Sequence, residues 1–285
     1  MLGLSAGGWC VAQYGSVACG DRSDEPGVAA FAVRCAHRDH GRVGTALPAA
    51  TPPPALPDAP SIVVVSSFAE LVAKPFADGV NAYCWQRTLA GDFEAVVAAL
   101  GSSRGVTVVD EQRLRGLALD AAASRARDTL LDDVRLLREH GLAPELDCVR
   151  DYDRDALASV VATDVYSFHV DRATAPTDTY LCSYTTAASE GLLHADALRR
   201  IDDPATRAAL LQQYGGADDP GFARFLRDHC YDLHYVARSS ARPFSFGLGN
   251  LWRLAVQHPS SLVPAFVHRA PTTSPGSPAR LLLIS

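Results

Sequence analysis

The feature that most narrows what this chain can fold into is a change of character near Val165. Before it, apolar residues recur at helical spacing. After it come short runs of branched and aromatic residues, broken by Gly, Pro, Asp and Ser. These runs lie at 165–171, 178–185, 232–237, 244–256, 263–268 and 279–284, and their pattern is that of short β-strands. Two stretches between them, "DPATRAALLQQY" and "DPGFARFLRDHC", open with the Asp-Pro pair that starts helices. Upstream, "DEQRLRGLALDAAASRARDTLLDDVRLLREH" reads as one helix over 110–140, with Asp110 as N-cap and Gly141 closing it. A shorter helix is expected over 154–162. Helices first and many short strands later predict an α+β fold with a β-barrel or β-sandwich core.

Residues 1–60 are rich in Gly, Ala and Pro and end in "TALPAATPPPALPDAP". That composition predicts a low-complexity, weakly ordered segment closing in an extended linker. Folded sequence is expected from "SIVVVSSFAELVAKPF" onward as a single domain over 61–285, helical over 61–164 and β-rich over 165–285. The chain has 285 residues with 48% hydrophobic content, enough for one large core. A net charge of −6 disfavours a nucleic-acid surface. No apolar run reaches the roughly twenty residues that span a bilayer. The N-terminus has no cation before Arg22, unlike a secretory signal, and seven scattered cysteines suit reduced thiols. A cytoplasmic location follows as the expectation.

The first of the β-rich runs, "VYSFHVDRATAPTDTYLCSY", contains His169-Val170-Asp171. In a strand, residues i and i+2 face the same way, so this imidazole and carboxylate converge on one spot. A third candidate ligand, His268, lies in the apolar run "PAFVHR", and Arg280 opens the last strand, "RLLLIS". Two histidines and one carboxylate on a β-scaffold match the facial triad that leaves open positions on Fe(II). A planar guanidinium just beyond is shaped to hold the carboxylate of a 2-oxo acid.

The order H-x-D, then a distal histidine and a downstream arginine, resembles the iron- and 2-oxoglutarate-dependent dioxygenases. The resemblance implies a double-stranded β-helix, the cupin-like jelly roll, with N-terminal and inserted helices. It implies His169, Asp171 and His268 as ligands of Fe(II) and Arg280 as the anchor of the co-substrate 2-oxoglutarate. Tyr180 or Tyr184, on the strand after the triplet, would add a hydroxyl to the co-substrate or substrate pocket. A small molecule and O2 would be the other reactants. From about Ser66 onward the chain also resembles an uncharacterised bacterial family. The likeness is carried by "NAYCWQRTL", by "LCSYTTAASEG" after the H-x-D, and by the terminal "HRAP…RLLLIS". Some members of that family are linked to zinc-responsive gene sets. Here "TAASEG" stands where the family has "GPGTEW", which implies a different substrate pocket.

Other motifs compete for attention. A second H-x-D, His194-Ala195-Asp196, falls where a strand gives way to a loop or helix, so the first copy is preferred. "CAHRDH" places Cys35, His37 and His40 together, with Cys10 and Cys19 upstream; scattered thiols are the expected reading, a second metal the alternative. "GLGN" at 247–250 lacks the setting of a dinucleotide loop and reads as a turn or strand kink. No G-x-S-x-G elbow is present. The expected function is a mononuclear non-haem Fe(II) oxygenase using 2-oxoglutarate. The alternatives are a non-catalytic zinc-binding protein of metal homeostasis and a cupin-type metal-dependent isomerase or hydrolase.

Overall fold

The computed structural model describes residues 56–101, 104–155, 159–272 and 277–285. Branched and aromatic runs form the strands β1 (Ile62–Val65), β2 (Ala82–Trp85), β3 (Val106–Val108), β4 (Glu145–Val149), β5 (Phe168–His169) and β6 (Asp178–Ser183). The chain continues with β7 (Glu190–Leu192), β8 (Ala197–Arg199), β9 (His234–Ala237), β10 (Phe244–Ser245), β11 (Leu251–Ala255), β12 (Val267–Arg269) and β13 (Arg280–Ile284). The larger sheet has the order β1-β2-β11-β6-β13-β4-β3 and the smaller one β10-β7-β12-β5-β9-β8. Only β1 and β2 pair in parallel; every other pairing of these strands is antiparallel.

Among the described residues six α-helices complete the frame: α1 (Phe68–Ala73), α2 (Phe93–Leu100), α3 (Glu111–Arg115), α4 (Ala121–Glu139), α5 (Pro204–Tyr214) and α6 (Pro220–Asp228). Each of the six is capped by an Asp or Ser side chain that accepts from a backbone N–H in its first turn. Helices α1 to α4 cover one face of the larger sheet. Along β6, Tyr180 and Cys182, with Tyr184 just beyond, pack on that side with Val96, Leu130 and Leu137. The alternate residue Leu181 turns the other way and joins Trp252, Leu282, Phe246 and Phe266 between the sheets. There Phe246 stacks on Trp252 with ring centroids 4.4 Å apart. The period of two in β6 therefore divides its side chains between a helical layer and the space facing the smaller sheet. Helices α5 and α6 form a separate cluster with Val161 and Ile201.

The structure corrects several expectations. The stretch 61–164 is not only helical, since it supplies β1 to β4 of the larger sheet. The expected helix over 110–140 is two helices, because Asp120 caps a second start: its side chain accepts from the Ala123 N–H. Over 154–162 the described residues form no helix. Strands β7 and β8 were not expected, being short and carrying only Leu192 and Leu198 as large apolar residues. The "GLGN" stretch links β10 to β11, with Gly247 and Gly249 at φ of 75° and 78° and Leu248 bridged to Ser183. Cys10, Cys19, Cys35, His37 and His40 lie outside the described residues, as does most of the segment 1–60. Among the described residues no helix is long and apolar enough to cross a membrane.

Candidate metal centre

Strands β12, β5 and β9 lie side by side, and their register puts His268 opposite His169 and His169 opposite His234. Three imidazoles thus form a row across the smaller sheet. Ring centroids are 4.7 Å apart for His169 and His268, and 5.8 Å for His169 and His234. Asp171 follows two residues after His169, and its carboxylate Oδ2 lies 3.7 Å from His268 Nε2. His169, Asp171 and His268 each offer a donor atom, and these atoms all fall within 4.8 Å of one another. All three side chains are buried.

Second contacts orient the set. His169 Nδ1 lies 2.7 Å from the Ser167 carbonyl and His268 Nδ1 lies 3.2 Å from the Phe266 carbonyl. A carbonyl only accepts, so Nδ1 carries the proton in both rings and Nε2 keeps its lone pair. That is the tautomer a metal ligand needs, held by backbone rather than by chance. Thr179, from β6 of the larger sheet, donates its hydroxyl to Asp171 Oδ2. The cluster therefore belongs to the space between the sheets. Burial, and then the neighbouring His268, push the His169 pKa down to about 4, which keeps the ring neutral at ordinary pH. The donor chemistry fits a divalent transition metal: two neutral imidazoles and one carboxylate, all buried and close together.

Arg280 faces the same space. On β13 it alternates with Leu281, which packs toward the helices, and so shares its face with Leu282. Its side chain is buried, with Nε donating to the Ala187 carbonyl at 3.1 Å. Nη2 donates to Ser189 Oγ at 3.2 Å and more weakly to Ser183 Oγ at 3.4 Å. All of these acceptors are neutral, and no carboxylate among the described residues pairs with this guanidinium. Ser189 stands two residues from Gly191, which is opposite His268. Two residues along a strand are about 7 Å.

Tyr180 and Tyr184 do not reach the cluster. Both pack in the helical layer, where Tyr184 stacks on Phe93 and its hydroxyl donates to Asp133 of α4 at 2.6 Å. The reason is the period of two: Thr179, not Tyr180, has the inward parity on β6. His194 is exposed in a short 3-10 turn with Asp196, so the second H-x-D builds no comparable site. The sequence reading missed Thr179 and His234. Parity with Asp178–Ser183 could have flagged Thr179, whereas nothing local to "YDLHYV" says that its strand lies beside His169. Comparisons with protein-family models, with curated proteins and with solved structures give no match.

Proposed function

We propose that the protein is a mononuclear non-haem iron oxygenase that uses 2-oxoglutarate to oxidise a small molecule. In this reading the two facing sheets are a double-stranded β-helix, and His169, Asp171 and His268 hold Fe(II) on one face. Bound there, the iron would supply activation of O2 coupled to oxidative decarboxylation of the 2-oxo acid. The observation that carries the reading is Arg280, a buried guanidinium with only neutral acceptors, on the space that the His/Asp cluster also lines. A buried charge without a counter-ion is costly. A carboxylate meeting its two-pronged edge would remove that cost.

The chain's own residues have distinct tasks. The Ser167 and Phe266 carbonyls hold the two rings with Nε2 toward the metal, and Thr179 turns the Asp171 carboxylate. Arg280 orients the far carboxylate of the co-substrate. Trp252, Phe246 and Phe266 keep water from the interlayer space. The test is an anaerobic titration of the Fe(II)-loaded protein with 2-oxoglutarate, followed by turnover to succinate in air. A metal-to-ligand charge-transfer band is expected in the wild type, with weaker 2-oxoglutarate binding in Arg280→Lys and iron retained. Absence of the band from iron-loaded wild type sinks the 2-oxoglutarate proposal. Isolation with stoichiometric zinc and no turnover would favour the metal-homeostasis alternative.

A further inference from the structure

His234 is the third imidazole of the row and takes no part in the cluster of close donor atoms. It is 1% exposed, yet Nδ1 is buried with no hydrogen-bond partner. As the direct cross-strand neighbour of His169, it presents its ring to the same face of the sheet. A buried, unmade hydrogen bond costs about 1–3 kcal/mol, so such a group in a native core calls for a partner.

Its surroundings say what kind. Arg200 opens the turn Arg200–Asp202 that packs on β9, and its charge adds to burial and to His169 in lowering the His234 pKa. Arg200 Nε is itself buried without a partner. Arg172 pairs with one oxygen of Asp232, whose other oxygen is buried without a partner, and Arg199 pairs with Asp202. Arg200 is left as a cation with no carboxylate partner among the described residues. Ser167 Oγ, two residues before His169, is a further buried hydroxyl without a partner. His234 and the turn that carries Arg200 sit on the β9 side of the metal ligands. Arg280 and Ser189 sit on the opposite, β7 side.

We infer that His234 and Arg200 form a second ligand-binding arm, which receives an anionic oxygen, of the carboxylate class, belonging to the substrate. The inference rests on the proposed metal site and names the substrate class for it: a small acid, held on the β9 side while the co-substrate occupies the β7 side. His234 would donate one hydrogen bond to that oxygen and Arg200 a charge-assisted one. The juxtaposition of an orphaned imidazole and an unpaired guanidinium, one strand beyond the ligand His169, is what the proposal stands on.

The experiment uses the full chain loaded with Co(II), whose visible bands report on its ligands, and acetate as the probe. Acetate offers the proposed carboxylate without the 2-oxo group of the co-substrate. Saturable perturbation of the bands is expected in the wild type. His234→Gln and Arg200→Gln should each raise the acetate dissociation constant about tenfold or more, with Co(II) binding kept. Arg200→Lys should recover part of the loss. Unchanged acetate affinity in both His234→Gln and Arg200→Gln, or its loss only in Arg280→Gln, overturns the inference and leaves the metal site standing. Loss of Co(II) from His234→Gln also overturns it, because His234 would then be a ligand. Failure of the metal reading itself has a separate signature: no Co(II) bands before acetate is added, which removes both.

Discussion

At the scale of single residues, the cluster separates groups that should bind metal from groups that only look similar. Alanine at His169, Asp171 or His268 removes one of three protein donors and is expected to lower metal affinity by orders of magnitude. His194→Ala should leave one metal per chain, since that ring is exposed and away from the cluster. Metal analysis after desalting, beside a circular dichroism spectrum, checks all four; loss of metal from His194→Ala alone would mean the wrong H-x-D was chosen. The histidines also set a pH dependence. Folding holds His169 near 4 and His234 near 3, both below the 6.5 of a free imidazole. Below 6.5 the unfolded chain therefore takes up protons that the folded chain refuses. The contribution of these two histidines to the stability of the metal-free protein should be flat above pH 7 and fall as pH drops through 6 toward 4, against the opposite contribution of Asp147, whose carboxyl burial pushes up to about 6. By pH 5 the loss is about 2 kcal/mol for each histidine. Urea titrations at pH 7.5 and 5 measure it, and His234→Gln should show a smaller difference. An equal difference in wild type and variant would contradict the assignment.

At the scale of elements, one latch joins the helical layer to the larger sheet. Arg87, just beyond β2, donates through Nη1 and Nη2 to the two carboxylate oxygens of Asp133 on α4, at 2.6 and 2.8 Å. Nε of Arg87 donates to the Gly249 carbonyl, and the Tyr184 hydroxyl donates to the same carboxylate. Asp133→Ala strands a buried guanidinium and should cost about 3–5 kcal/mol, whereas Tyr184→Phe should cost only about 1 kcal/mol. Chemical denaturation gives both numbers; equal costs would show that the ion pair is not what holds α4. The approach of α4 to the loop before α2 is close as well. Gly91 has φ of 123°, and a Cβ there would meet Ala126 N at 2.5 Å. Gly91→Ala should therefore destabilise by about 2 kcal/mol, through strain and displacement of α4. Neither contact is legible in the one-dimensional pattern, because Arg87 and Asp133 are 46 residues apart.

At the scale of the whole molecule, every group assigned to the site lies in the described part of the chain. A protein beginning at Leu56 is expected to fold and to bind one metal ion. Leu56 is the sensible start because it packs against the cluster between the sheets. Metal should raise its stability by about 2.7 kcal/mol at a hundred times the dissociation constant. Thermal melts with and without metal provide the test. Loss of metal binding on this truncation would implicate Cys35, His37 and His40 and favour the zinc alternative.

What the sequence by itself determined is local. Alternation in "VYSFHVD" flagged an imidazole and a carboxylate that do converge, although the strand there spans only Phe168–His169; Asp-Pro pairs started α5 and α6, and glycines marked the β10–β11 connection. These depend on φ/ψ preference and on side-chain period, which act over a few residues. Tertiary structure decided which strands became neighbours. It set His268 and His234 on either side of His169 from positions 99 and 65 residues away in the chain (268 − 169 and 234 − 169). It also drew β1 to β4 from a stretch that reads as helical into the larger sheet. Those pairings bury apolar faces against distant partners. Their free energy depends on the whole set of contacts, so no short window of sequence carries it.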